Sequence, residues 1–180
     1  MQRLTLLVLI CLSVSAFSQT EPLPGHYPPA GVDMQLRRLS EHVYFVQGEA
    51  GIATDNEGFI SNAGVIVTDA GVVVFDALGT PSLADLLLRK IRTVTDQPIV
   101  RVISSHYHAD HIYGLQVFEE QGAAVWAPVG AEKYLRSENA AERLEERRFS
   151  LEPWVNETTR LVEPDRYIGV QERFELGGVR

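Results

Sequence analysis

IVRVISSHYHADH, residues 99–111, places three histidines and one aspartate within the six positions from His106 to His111. A valine- and isoleucine-rich run leads straight into them. Ile112 to Gln121 behind them reads as a helix, ended by Gly122. The carboxyl end of a strand that turns into a helix is where open α/β sheets place their ligands. A lone histidine at such a point is ordinarily a surface residue, but three with an aspartate among them make a donor set. Residues two apart in an extended segment share a side, so His106 and His108 can reach one cation together. The chain then turns at the small Ala109, and Asp110 and His111 come round to a second cation nearby. Imidazole nitrogen and carboxylate oxygen suit zinc, and also iron or manganese. Tyr107, between the first two histidines, is expected to face outward.

The pattern repeats on either side of this stretch. His42 to Gln47 reads as a strand and Gly48 to Glu57 as a polar, glycine-rich loop; extended to Ile60, it is either a flap or a plain connection. Ile60 to Val67 and Gly71 to Phe75 read as a hairpin across Thr68-Asp69-Ala70-Gly71. Thr80 caps a helix that Pro81 opens, with Leu83, Leu86, Leu87 and Ile91 on one face. Asp76 ends the hairpin's second strand and reads as a turn residue or as a carboxylate orienting the histidine loop. Ala123 to Ala127 is a further strand, and Val129 to Arg148 a long charged helix. Tyr167 to Val170 and Arg173 to Leu176 read as strands, with Gly177-Gly178 as a turn leading to another. Helices alternating with strands give an α/β fold, a mixed sheet covered by helices.

The 180 residues are 45% hydrophobic and 22% charged, a globular composition suited to one domain. A net charge of −8 argues against nucleic acid as a partner and offers nothing basic to an anionic membrane. The partner expected is a small-molecule substrate; the sequence carries no signal for an oligomeric state. Arg3, the apolar run Leu4 to Val14 and the small-x-small Ala16-Phe17-Ser18 read as a cleaved export signal over residues 1–18. The mature chain is then periplasmic or secreted, with no membrane anchor after cleavage. Cleavage also removes Cys11, the only cysteine, so a metal site has histidine and carboxylate alone to draw on. Residues 19–35 form a proline-rich leader that tethers or wraps, and the globular domain is expected over residues 36–180.

H-x-H-x-D-H, as His106-x-His108-x-Asp110-His111, resembles the signature of the metallo-β-lactamase superfamily. Asn62-Ala63-Gly64 entering the hairpin and Val72-Val73-Val74-Phe75-Asp76 ending it agree with that likeness. The resemblance covers about Leu39 to Arg180. It implies an αββα sandwich of which this chain is the N-terminal half, and a site for two Zn2+. By that likeness His106 and His108 hold the first metal, Asp110 and His111 the second, and Asp110 also serves the catalysis. A metal-activated water would attack an ester, thioester or lactam. The superfamily supplies further ligands downstream, whereas His26 and His42 both lie upstream. The expectation is therefore an N-terminal fragment, inactive alone, with its site incomplete; the alternative is a short, non-catalytic metal-binding relative. A β-lactamase proper and an iron-dependent sulfur oxidoreductase of the same fold are the other readings.

Overall fold

The computed structural model describes residues 26–180. The expected export signal, Cys11 and the first part of the leader lie outside these residues. A seven-stranded sheet runs in chain order: β1 (Arg37–Arg38), β2 (Val43–Val46), β3 (Ala63–Thr68), β4 (Gly71–Phe75), β5 (Ile99–Ile103), β6 (Ala124–Pro128) and β7 (Arg166–Ile168). Strands β1 to β4 pair antiparallel, and β4 to β7 pair parallel. The switch falls at β4, where the tight β3–β4 turn gives way to helical crossovers. A parallel neighbour cannot be reached by a hairpin, which is why α1 (Pro81–Arg92) lies between β4 and β5. Thr80 caps α1 by accepting from the Leu83 N–H at 3.1 Å, and Pro81 occupies its first position, as expected.

Alternation along the strands divides the sheet into two unlike faces. Val65, Val72, Val74, Val102 and Val125 point into the main core, where they meet Leu83, Leu87 and Ile91 of α1 and Leu115 and Phe118 of α3 (Leu115–Glu120). The opposite face carries a small cluster of Val73, Ile103 and Trp126, covered partly by Phe174 and Leu176 of the C-terminal stretch. No helix residue takes part in that cluster. One α/β layer of the expected αββα sandwich is present: a mixed sheet with helices on one side.

Three expectations give way to local packing. The helix expected over Ile112 to Gln121 is two: α2 (Ala109–Ile112) begins three residues earlier, inside the histidine motif, and α3 follows after Tyr113 and Gly114. The break is steric. A Cβ on Gly114 would lie 1.9 Å from the Ala77 carbonyl oxygen and 2.6 Å from Ala84 Cβ, so the backbone presses directly on the β4–α1 loop. The long helix expected over Val129 to Arg148 is likewise divided into α4 (Ala131–Leu135) and α5 (Glu138–Ser150), because Ser137 turns to cap α5 through the Ala140 N–H. Arg173 to Leu176 forms no strand; Leu176 makes a single bridge to Val179 across Gly177 and Gly178, both at positive φ. The leader does more than wrap. Tyr27 and Met34 are buried in the main core, and the Trp154 indole N–H reaches back to the Pro29 carbonyl at 3.2 Å.

Candidate metal centre

Strand β5 ends at Ile103, and residues 104–108 carry the histidines across the C-terminal edge of the sheet. His106 and His108 sit edge to face with ring centroids 4.6 Å apart, and His106 and His111 are closer still at 4.1 Å. His108 is the residue before α2, while Asp110 and His111 lie within that helix. The short helix brings the second pair round to the first, as the spacing implied. Tyr107 stays on the exposed side, stacked on Tyr134 at 4.9 Å and edge to face with His108 at 6.3 Å.

Asp76 organises this group. Its Oδ1 accepts from the Ser105 backbone N–H at 2.7 Å, and its Oδ2 accepts from the Ser105 hydroxyl at 2.8 Å. Ser105 Oγ also lies 2.8 Å from His106 Nδ1. The hydroxyl has one proton and gives it to Asp76, so this assignment makes it the acceptor of a His106 Nδ1 proton. His106 Nε2 is then left with its lone pair free. His111 Nδ1 lies 2.9 Å from Asp76 Oδ2, while its Nε2 lies 3.3 Å from Asp110 Oδ2. The Nδ1 proton is not aimed along the line to Asp76, so that contact acts through charge more than as a straight hydrogen bond.

The loop that delivers Asp76 is strained. Asp76 and Leu78 have φ of 65° and 66°, a region that aspartate tolerates and leucine rarely enters. The backbone of the same loop also fixes α2, since the Ala77 N–H donates to the His111 carbonyl at 3.0 Å. Ser61 Oγ holds the Asp110 carbonyl, and Gly79 lets the two segments close up: a Cβ there would lie 3.3 Å from Asp110 Cα. The loop Gly48 to Ile60, read as a flap or a connection, packs here as a connection, with Ala53, Asn56 and Phe59 buried.

The electrostatics follow from these contacts. Burial opposes charging of His111, but the carboxylates of Asp110 and Asp76 outweigh it and raise the imidazolium pKa to about 9. The same contact with His111 lowers the Asp110 pKa against the upward push of burial. Burial, then repulsion from His111 and His108, lowers the His106 pKa. The site is therefore a charged histidine held between two carboxylates, beside a histidine inclined to stay neutral.

A model of the metallo-beta-lactamase superfamily matches residues 56–179. The chain belongs to that superfamily. Among solved structures it is similar to a metallo-beta-lactamase from Pontibacter korlensis, with 19% identity and a TM-score of 0.55 over 81% of this chain and 57% of that one. It is also similar to the stereoselective inverting sec-alkylsulfatase Pisa1 from Pseudomonas sp., with 24% identity and a TM-score of 0.56 over 81% of this chain and 26% of that one. A double mutant of the same sulfatase matches at 25% identity. The chain thus spans about half of the first of these proteins and about a quarter of the others. Superfamily membership gives it the fold of metal-dependent hydrolases.

Whether the residues suit a cation can be tested on their donors. Among the described residues, no three histidine, cysteine, aspartate or glutamate side chains are gathered as a ready cage. In kind the donors fit. Ser105 engages His106 at Nδ1 and leaves its Nε2 for a metal, while Asp76 faces His111 at Nδ1 and His111 Nε2, now turned to Asp110, becomes a donor once its proton leaves. His106, His108, Asp110 and His111 are the residues that would hold it. Ser105 was missed at the sequence level, although its place next to His106 was the available signal. The cavity beside Tyr107, with Tyr134 and Arg147 in its walls, was missed as well, because it is assembled from segments far apart in the chain.

Proposed function

We propose that this chain carries active-site residues of an exported hydrolase that cleaves an ester, thioester or lactam by a metal-assisted attack of water. The carrying observation is the network in which Asp76 and Ser105 occupy the Nδ1 sides of His111 and His106, leaving His106 Nε2 free and His111 Nε2 turned to Asp110 Oδ2. A divalent cation bound there supplies Lewis acidity and brings the pKa of water toward neutrality. The chain's own residues do the rest. His106 and His108 bind on one side, and His111 binds once its proton leaves. Asp110, held ionised beside His111, orients the attacking water and takes its proton at Oδ2. Zn2+ is the expected ion, with iron or manganese compatible with the same donors. The two sulfatase structures add a sulfate ester to the substrates worth testing. Export to the periplasm or beyond rests on residues 1–18.

The test is reconstitution of the full-length protein with Zn2+, Fe2+ and Mn2+, followed by metal analysis and assays on each ester class. Changing His106 or His108 to Ala should lower metal occupancy and turnover together, turnover by about a hundredfold or more. A protein that retains no transition metal after reconstitution overturns the proposal. A second reading, a non-catalytic metal-binding protein, is favoured by the lack of a gathered three-donor cage among the described residues. It predicts bound metal without turnover. Fast hydrolysis of a chromogenic cephalosporin would point to a β-lactamase proper, and retained iron to a sulfur oxidoreductase.

A further inference from the structure

A cavity of about 670 Å³ opens directly beside the histidine motif. Its volume is that of an ordinary small-molecule pocket. One wall is His108 and Asp110, a second is the Tyr107–Tyr134 stack, and the third is one face of α5, including Arg143 and Arg147. A smaller hollow lies next to it, and Ala109, Asp110 and Arg147 border both. Arg147 is thus the α5 residue at the end of the cavity nearest the candidate metal ligands. The other α5 side chains border only the larger space.

The arginines of α5 are used very differently. Arg143 pairs with Glu146. Arg148 pairs with Glu145, and its Nε donates to the Asn156 carbonyl at 3.0 Å. Arg147, half-buried, makes no ion pair and no hydrogen bond among the described residues. An arginine whose guanidinium has no anionic partner has its donors open to one. Its five donors form a planar fork that matches two oxygens of a carboxylate, sulfate or phosphate. Glu142 and Glu146 line the same cavity, but Glu146 pairs with Arg143 and neither carboxylate pairs with Arg147.

We infer that Arg147 is the anion-recognising residue of the substrate pocket, and that the substrates carry an oxyanionic group on the part of the molecule lying over α5. The inference rests on the hydrolase reading for the word substrate, but not for the binding of an anion. The bond to be cleaved would lie toward His108 and Asp110. The anion would lie on Arg147, and apolar or planar parts would lie along the Tyr107–Tyr134 stack. Arg147 then sets specificity and does not touch the reacting atoms.

Two measurements test it on the full-length protein. In the metal-free form, acetate and inorganic sulfate are titrated separately while the arginine Nε–H signals are followed by NMR. The Arg147 signal should shift saturably, with a midpoint on the order of millimolar, and Arg37 on the β1 edge should not. A response to acetate alone marks a carboxylate, and a response to sulfate alone a tetrahedral anion. Arg147→Lys should keep the response of the site, read at the Tyr107 and Tyr134 ring signals, and Arg147→Gln should lose it. In the zinc-loaded form, two nitrophenyl esters that differ only in a terminal carboxylate against a methyl group are compared. The preference for the anionic ester, as a ratio of kcat/KM, should fall by roughly tenfold to a hundredfold in Arg147→Gln, mainly through KM. Equal losses on both esters, or no saturable shift at Arg147 with either anion, overturn the inference. If neither ester is cleaved and no metal is held, the hydrolase reading fails while the titration still decides the role of Arg147.

Discussion

The two faces of the sheet are built from the same strands but not to the same standard. Toward the helices, Val72, Val74, Val102 and Val125 are completely enclosed, and Leu83, Leu87 and Ile91 close over them. Toward the other side, Phe75 is 44% exposed and only Val73, Ile103 and Trp126 are buried. The candidate site stands at the edge between them, on the loops that leave β4 and β5. Its positioning is thus owed almost wholly to the helical face. Substitutions should rank accordingly, and the largest effect is expected where the site loop meets the core.

Gly114→Ala is that substitution. The added methyl would sit 1.9 Å from the Ala77 oxygen, between the loop that carries Asp76 and the α2–α3 junction that follows His111. Backbone would have to move, so the cost should be about 3 kcal/mol or more in urea unfolding, with α2 displaced. A loss below about 1 kcal/mol would mean that the junction yields easily and does not hold the site. Leu87→Ala comes next: a fully enclosed α1 side chain should cost about 2–5 kcal/mol, with far less effect on metal affinity.

These two positions also mark how far the sequence could be read. Leu87 was legible because a helical stripe announces its buried face from spacing alone. So was the donor set, since four ligating residues fall within six positions and need only a strand end and a short turn to meet. Gly114 was not, because its neighbour Ala77 lies far up the chain and a glycine inside a helical pattern carries no label for what presses on it. Asp76 reads from the sequence as either turn or orienter for a similar reason. Its contacts with Ser105 span 29 residues, and its positive φ is a property of the loop and not of the local pattern. Met34 was assigned to a leader because proline and glycine around it suggested little to bury, yet tertiary packing placed it in the core.

The site's own contribution to stability should be intermediate and should depend on pH in the metal-free protein. His111 titrates near 9 when folded, above its ordinary 6.5. Its contact with Asp110 and Asp76 therefore stabilises fully below about pH 6.5 and is lost as pH rises through 9, by about 1–3 kcal/mol. Asp110 has the opposite sign: its lowered pKa gives stability present above the ordinary carboxylate range and lost as pH falls. Unfolding midpoints measured from pH 6 to 10 should show the alkaline loss in the wild type, and Asp76→Asn should shrink it by removing one of the two carboxylates. Bound zinc should abolish it, because the ligand form of His111 is already deprotonated. An alkaline loss that is unchanged in Asp76→Asn would remove Asp76 from the account.

The smallest effect is expected at Phe75→Thr, and it bears most directly on the difference between the faces. Phe75 is the residue before Asp76, so strand β4 places the most exposed large hydrophobic side chain of the sheet one step from the residue that organises the site. Threonine, being β-branched, keeps a preference for strands and removes an aromatic ring that is half in water already. In the 180-residue chain the change should be within about 0.5 kcal/mol, with the His106 and His111 ring signals unmoved. A cost of about 2 kcal/mol or more would mean that the ring is covered in solution, since only a buried aromatic loses that much on truncation. The αββα sandwich gives the same substitution a second use. In a chain carrying both layers the ring would lie between two sheets, and Phe75→Thr should then approach the cost of Leu87→Ala. A small effect in the short chain and a large one in the longer chain would show that the second layer completes the weaker face; equal small effects would show that this face stays open with or without it.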